Sequence, residues 1–523
     1  MKMLAAVLLS LFIAGSANAQ ENIKTLNRGN TGEPESLDPQ QAGTLFEENI
    51  IGDLMVGLTT LDAAARPIPG MAERWESTPD GKTWIFHLRD ARWSDGKPVT
   101  ANDFVLAWRR LLSPQTASRY AYNLWLLKNA QAITNGAMPS AALGAVAKDA
   151  RTLVLTLNHP APYLPELLTH LSAMPLPAHM VAAKGADWSR PGAYVSNGPY
   201  VLKEWRPNDH ITLVKNPAFY DAASVKIETV NYFPTPDAEA AIRRLRAGEL
   251  DMQTPVALTQ LDWLRANMKP ALHITQSLDI SYIAVNLGHP PLKDVLVRRA
   301  LNLAYDREVV SAKILKMGEP PAYGIVPPGT ANYPAPQSMD FRGKPYAARL
   351  AEAQALMRSA GYGPQKRLAL TYTTTTNPDR RRMAAVLQAM LKAIYVDLSI
   401  TTTDVPIHFR NLRMHNYQLA NADWQADFND ASNFLDILRS DSGNNYAGYA
   451  NPKFDAALNA AQDEPDAGKR AGLLAQAERI ALADYPWITM RFTAQSDLVA
   501  PRVKGWVDNV RDFHRSRWLW LAK

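Results

Sequence analysis

The chain has 523 residues, 47% of them hydrophobic and 20% charged, with a formal net charge of +6 and no cysteine. That length is too great for one hydrophobic core and predicts roughly two to four structural units, while the balanced composition excludes a disordered chain. The missing cysteine excludes disulfides, thiolate metal centres, a cysteine nucleophile and a lipid-modified N-terminal cysteine. The positive charge is dispersed: "RRLR" (243–246) and "DRRRM" (379–383) are its densest runs, and without interleaved aromatics they read as helix faces, not as a nucleic-acid patch.

The chain opens on "MKMLAAVLLSLFIAGSANAQ". Lys2, the apolar run Leu4 to Ala14 and the small-x-small "ANA" (17–19) predict a secretory signal peptide over 1–19, cut before Gln20. A periplasmic location is the corresponding expectation. Further on, "TWIFHLR" (83–89) alternates as a strand. "VTANDFVLAWRRLLS" is a helix that Thr100 and Asp103 cap, with Phe104, Val105, Trp108, Leu111 and Leu112 on its buried stripe. "RTLVLTL" (151–157) is a second strand, and "GPYVLKEWRPNDHITLVKNP" (198–217) is a hairpin turning at Pro-Asn-Asp. "DAEAAIRRLRAGELDM" is a helix that stops near Gly248 and leads into a strand. In the C-terminal half, a helix ends at Gly361, "RLALTYTTT" (367–375) is a strand, and Asn377 and Pro378 open the next helix. "YVDLSITT" (395–402) then forms the parallel partner of the preceding strand through a right-handed crossover.

Catalytic motifs fail one by one. "DGKT" (80–83) lacks the upstream glycine of a phosphate loop, because position 76 is Glu, and it leads into a strand. "SDGK" (94–97) falls in a turn, with no Lys-Thr-Gly partner elsewhere. The ten histidines form no i, i+4 metal pair; His408 and His415 are the nearest approach to one. Neither a metal nor a cofactor is expected, and a secreted hydrolase using the aspartates of "NADWQADFND" (421–430) is the remote alternative.

Several segments resemble one family together and in order: "EPESLDPQ" (33–40), the stretch 70–114, "SNGPYVLKEW" (196–205), "AGELDM" (247–252), "PLKDVLVRRALNLAYDREVV" (291–310) and the stretch 422–455. They are similar to the peptide-type extracellular solute-binding proteins of ABC importers, and most of all to the periplasmic oligopeptide branch. The resemblance implies an α/β, type II periplasmic-binding fold with two lobes, a hinge and three domains. These would be domain I over 20–55, 181–280 and 494–523, domain II over 56–180, and domain III over 281–493. It also implies a monomeric receptor that performs no chemistry. Its expected partners are a peptide and an inner-membrane ABC permease with cytoplasmic ATPases; a murein peptide or another amine-bearing solute is the alternative ligand.

A free peptide is a zwitterion, and an unpaired charge costs several kcal/mol to enclose, so a peptide receptor needs an anion for the amine and a cation for the carboxylate. The resemblance assigns the amine to Asp427, with Trp424 walling a pocket and Asp423 and Asp430 as supporting residues. It makes Tyr120 and Tyr282 ligand-facing aromatics. For the carboxylate it points to Arg413, flanked by Arg410, and to Arg380. Asn421 stands where peptide binders of this branch often carry an arginine, so the carboxylate anchors are expected to be rearranged.

Overall fold

The computed structural model of the protein describes residues 24–253 and 260–522; the predicted signal peptide lies outside the described residues. Period-two patterning builds the strands as expected. In Thr83–Leu88, Trp84, Phe86 and Leu88 point inward, and this strand lies in a four-stranded antiparallel sheet. The helix Ala101–Leu111 starts with the reciprocal cap of Thr100 and Asp103. It buries Trp108, whose Nε1 donates to the Ala173 carbonyl at 3.0 Å. The hairpin pairs Tyr200–Arg206 with His210–Lys215. Gly361 adopts φ +86° beyond the helix Tyr346–Ser359, a conformation that a Cβ would strain.

In the C-terminal half, Asn377 Oδ1 accepts from the backbone of Asp379 and Arg380 and so starts the helix Pro378–Lys392. That helix joins Leu368–Thr375 to Val396–Thr403, which pair in parallel over their whole length. Both belong to a ten-stranded mixed sheet, which also takes in Thr25–Asn30 and the hairpin but none of the strands of the four-stranded sheet. Among the described residues no helix is long and apolar enough to cross a membrane.

Buried side chains separate into two large cores. One gathers residues between Leu26 and Tyr232 with Met252, Val499 and the C-terminal Leu519 and Leu521. The other runs from Leu278 to Phe492. Two long strands, Leu272–Val285 and Trp487–Val499, pair antiparallel; the second runs from the C-terminal core at Trp487 to the N-terminal core at Val499, and the first runs from a small cluster at Leu272 into the C-terminal core. Their register shifts between Gln276 and Ile280 and again at Ser281/Tyr282. Such irregularities bend and twist a ladder where regular pairing would hold it stiff. At the first shift Ser277 Oγ meets Thr493 Oγ1 at 2.9 Å, so side chains supply polar contacts where the ladder is broken.

Candidate functional site at Asp427

The strand Leu419–Gln425 lies beside Leu272–Val285, with Asp279 opposite Gln425 and Tyr282 opposite Ala422. Alternation puts Asn421 and Asp423 on one face and Ala420, Ala422 and Trp424 on the other. Past Gln425 the chain leaves the sheet and carries Asp427 toward the other core. Asn433 holds this exit: its Oδ1 accepts from Trp424 Nε1 at 2.9 Å and from the Asp427 backbone N–H at 3.2 Å. Asp430 is buried and fixed by both Nη atoms of Arg470, each at 2.8 Å. Arg470 also lies 5.1 Å from the Tyr163 ring centroid, and Tyr163 stacks on Phe428 at 4.9 Å, nearly parallel.

Asp427 Oδ2 accepts a 2.9 Å hydrogen bond from Tyr122 Oη, a residue of the N-terminal half. Burial pushes the Asp427 carboxyl above the usual range; the hydrogen bonds from Tyr122 and Asn433 and the charge of Arg511 oppose that shift. Arg511 comes from the C-terminal tail, donating to the Asp427 carbonyl at 3.2 Å and to Glu166 Oε1 at 2.6 Å. Three distant stretches of chain therefore converge on one carboxylate.

Two recesses meet there, and Asp427 lines both. The larger, about 620 Å³, has walls that include Tyr122, Trp125, Tyr163, Trp424 and Phe428, with Arg439 among its polar residues. The smaller, about 130 Å³, is lined by Thr44, Glu48, Tyr120, His170, Gln425 and Arg511, among others. Burial, with the nearby charges of Glu48 and Asp427, pushes the Tyr120 hydroxyl up to about 12, so it remains a donor. His170 is pushed down to about 3 by burial and by the positive charges of Arg511 and Arg515, so its ring stays neutral. The recesses suit a ligand with an apolar body and a cationic end.

Of the residues picked from sequence, Asp427, Trp424 and Tyr120 line these recesses. Tyr282 does not, which corrects the expectation of a ligand-facing ring: it is fully buried and stacks on Trp487 at 3.8 Å, because its place in the strand points it into the C-terminal core. Asn421 is also buried. Its Oδ1 accepts from Thr374 Oγ1 at 2.7 Å and its carbonyl meets His408 Nε2 at 2.8 Å. Arg380 grips the Asp423 carboxylate through both Nη atoms, at 3.3 and 2.5 Å. Arg410 and Arg413 are exposed in the last turn of the helix Val405–Arg413 and line neither recess. His408 is buried against that carbonyl and His415 reaches the Asn445 carbonyl at 3.1 Å, so the two are engaged separately. A different group, Asp497, Asp512 and His514, brings one donor atom each within 4.8 Å of one another. Sequence reasoning missed Tyr122, Glu48, Glu166, Asn433 and Arg511. The arginine-rich tail "RDFHRSR" (511–517) was the available signal for the last of these.

This fold, with a carboxylate exposed where two cores face each other, is that of a solute-binding receptor. The chain belongs to the bacterial extracellular solute-binding proteins, family 5, whose middle region matches residues 66–446. It adopts the α/β, type II periplasmic-binding fold. The structure of Haemophilus influenzae OppA in complex with RPPGFSPFR aligns at TM-score 0.81 and 34% identity, covering 96% of this chain and 100% of that one. The Escherichia coli murein tripeptide binding protein MppA aligns at TM-score 0.82 and 32% identity, covering 96% of this chain and 99% of that one. The probable deoxycholate-binding periplasmic protein YgiS of Escherichia coli is 35% identical, over 94% of this chain and 92% of its own.

Proposed function

We propose that the protein is a periplasmic receptor that captures peptides between two lobes and delivers them to an inner-membrane ABC importer. The observation that carries this reading is Asp427: a half-exposed carboxylate that lines two recesses, with neutral hydrogen-bond partners and no ion-pair partner among the described residues, is a counter-ion for a ligand ammonium. The peptide's extended backbone would add strand-like hydrogen bonds beside Leu419–Gln425, which are independent of side-chain identity. H. influenzae OppA, with its bound nonapeptide, supports the peptide assignment.

The mechanism is capture, closure and release. In the division into three domains (20–55, 181–280 and 494–523; 56–180; 281–493), the two large cores support setting 281–493 apart, while the other two domains share one core. The register shifts in the crossing strands are the natural hinge. The receptor would act as an exported monomer, processed after residue 19, that leaves its ligand uncut and docks on a permease driven by cytoplasmic ATPases. A murein peptide, or another amine-bearing solute, is the second reading. It is favoured by the commitment of Arg380 to Asp423 and by the surface positions of Arg410 and Arg413, which leave none of the expected carboxylate anchors at the recesses, and by the likeness to MppA.

Native mass spectrometry of the protein purified from periplasm tests the assignment. A co-purified peptide or murein peptide, released intact, supports it. Peptide fragments accumulating beyond one equivalent would overturn the receptor reading.

A further inference from the structure

Glu48 is a buried acid that the mechanism so far does not use. It lies in the first turn of the helix Leu45–Leu54 and lines the smaller recess together with Asp427. Its Oε1 is shielded from solvent and has no donor within ordinary hydrogen-bond distance. Arg515 Nη2 approaches that oxygen only to 3.6 Å, while Arg515 Nη1 donates to the Glu48 carbonyl at 2.8 Å. Burial is the main cause that raises the Glu48 carboxyl above its ordinary range; Arg515 and Arg511 pull it down and Asp427 pushes it further up. The two carboxylates therefore sense each other across the recess.

The charges around this space do not balance. Glu48, Asp427 and Glu166 face two guanidiniums, Arg511 and Arg515, and His170 is neutral. Arg511 is paired with Glu166 at 2.6 Å. At the rim, Glu47 accepts from the backbone N–H groups of Glu35, Ser36, Gly43 and Thr44, and Arg119 stands opposite Gly43. The inner group is thus one positive charge short, and Glu48 Oε1 is one donor short. An ammonium supplies both a charge and three N–H donors.

We propose that Glu48 is the second acceptor for the ligand's ammonium: Asp427 takes one N–H, Glu48 Oε1 takes another, and the recess between them selects a primary amine. This rests on the reading of Asp427 as the amine anchor. A buried carboxylate oxygen left without a donor costs about 1–3 kcal/mol, so an ammonium with a single N–H, which can serve Asp427 but not Glu48 as well, should bind markedly less well than one with three, even at equal charge.

The test is calorimetry with two probes that both begin with L-alanine: trialanine and the murein tripeptide L-Ala-γ-D-Glu-meso-diaminopimelate. Each is offered with a free α-amine and with an N,N-dimethyl α-amine, which keeps the charge and one N–H. For the unmodified protein we expect dimethylation to weaken binding about tenfold or more. Glu48→Ala should weaken the free amine by a similar factor and bring the ratio between the two forms to within about threefold. A ratio unchanged in Glu48→Ala would overturn the proposal. So would a ratio near one in the unmodified protein, an outcome that does not depend on any variant folding. Asp427→Ala separates this inference from its premise. If it abolishes binding while Glu48→Ala leaves the ratio unchanged, only the second acceptor falls. If Asp427→Ala binds normally, or neither probe binds at all, the amine-anchor reading falls and this one with it.

Discussion

Two aspartates four residues apart, Asp423 and Asp427, meet opposite fates. Asp423 lies within the strand Leu419–Gln425 and is held by both nitrogens of Arg380. Asp427 lies past the end of that strand, where its side chain meets the neutral groups of Tyr122 and Asn433 and the guanidinium of Arg511 is spent on Glu166 and on a backbone carbonyl. Asp423 finds its partner in the helix start packed beside its strand, whereas Asp427, carried off the strand's end, takes its partner from the opposing core or from a ligand. The cleft is therefore charged asymmetrically. On the proposed reading, its amine end keeps an acid in reserve, while the cations expected at its carboxylate end are consumed or lie at the surface.

Arg470 offers the most severe way to break this asymmetry. Replacing it with Met leaves Asp430 buried without its bidentate partner, and should destabilise the protein by about 3–5 kcal/mol in chemical denaturation. A loss under about 1 kcal/mol would mean that the loop holding Asp427 is fixed by other contacts. Asp427→Ala should weaken peptide binding by about 3 kcal/mol, roughly a hundredfold or more, with its melting curve unchanged, since no buried cation depends on it.

Asp279, opposite Gln425 in the neighbouring strand, sharpens the comparison through pH. Burial holds its carboxyl up at about 6, against the 3.8 of the free side chain. A native state that binds its proton more tightly than the unfolded state is favoured below both values and loses that contribution as pH rises through 6. Asp279→Asn should remove this pH dependence and stabilise the protein by about 1–2 kcal/mol at pH 7, measured as denaturation midpoints at pH 5 and pH 7. Peptide affinity has the opposite sign. Asp427 and Glu48 both hold protons more tightly than ordinary carboxylates, so affinity should fall as pH is lowered through their raised values. Arg380→Ala should have the smallest effect, below about 1 kcal/mol on binding, because its charge already belongs to Asp423 in a half-exposed pair.

Much of the fold could be read from sequence because its signals are local. The cap of Thr100 and Asp103, the Asn377–Pro378 helix start and the alternation of Thr83–Leu88 are each decided within a few residues. Asp427, Trp424 and Tyr120 were reachable because the resemblance supplied their context. Tyr282 was not, because whether a strand aromatic faces cleft or core depends on which face of a ten-stranded sheet it occupies. Arg380 was expected near the ligand's carboxylate end, and its pairing with Asp423 depends on a helix start brought alongside a strand 43 residues away, which no local pattern shows. Glu48 lies hundreds of residues before Asp427 and Arg511 lies 84 residues after it, and no spacing rule links them.

The central claim, that the amine end is anchored by charge and the carboxylate end is not, is tested most directly by titrating one tripeptide in three forms: free, N-acetylated and C-amidated. The account predicts that acetylation costs about a hundredfold or more and that amidation costs less than about tenfold. Equal losses, or a larger loss on amidation, would contradict it.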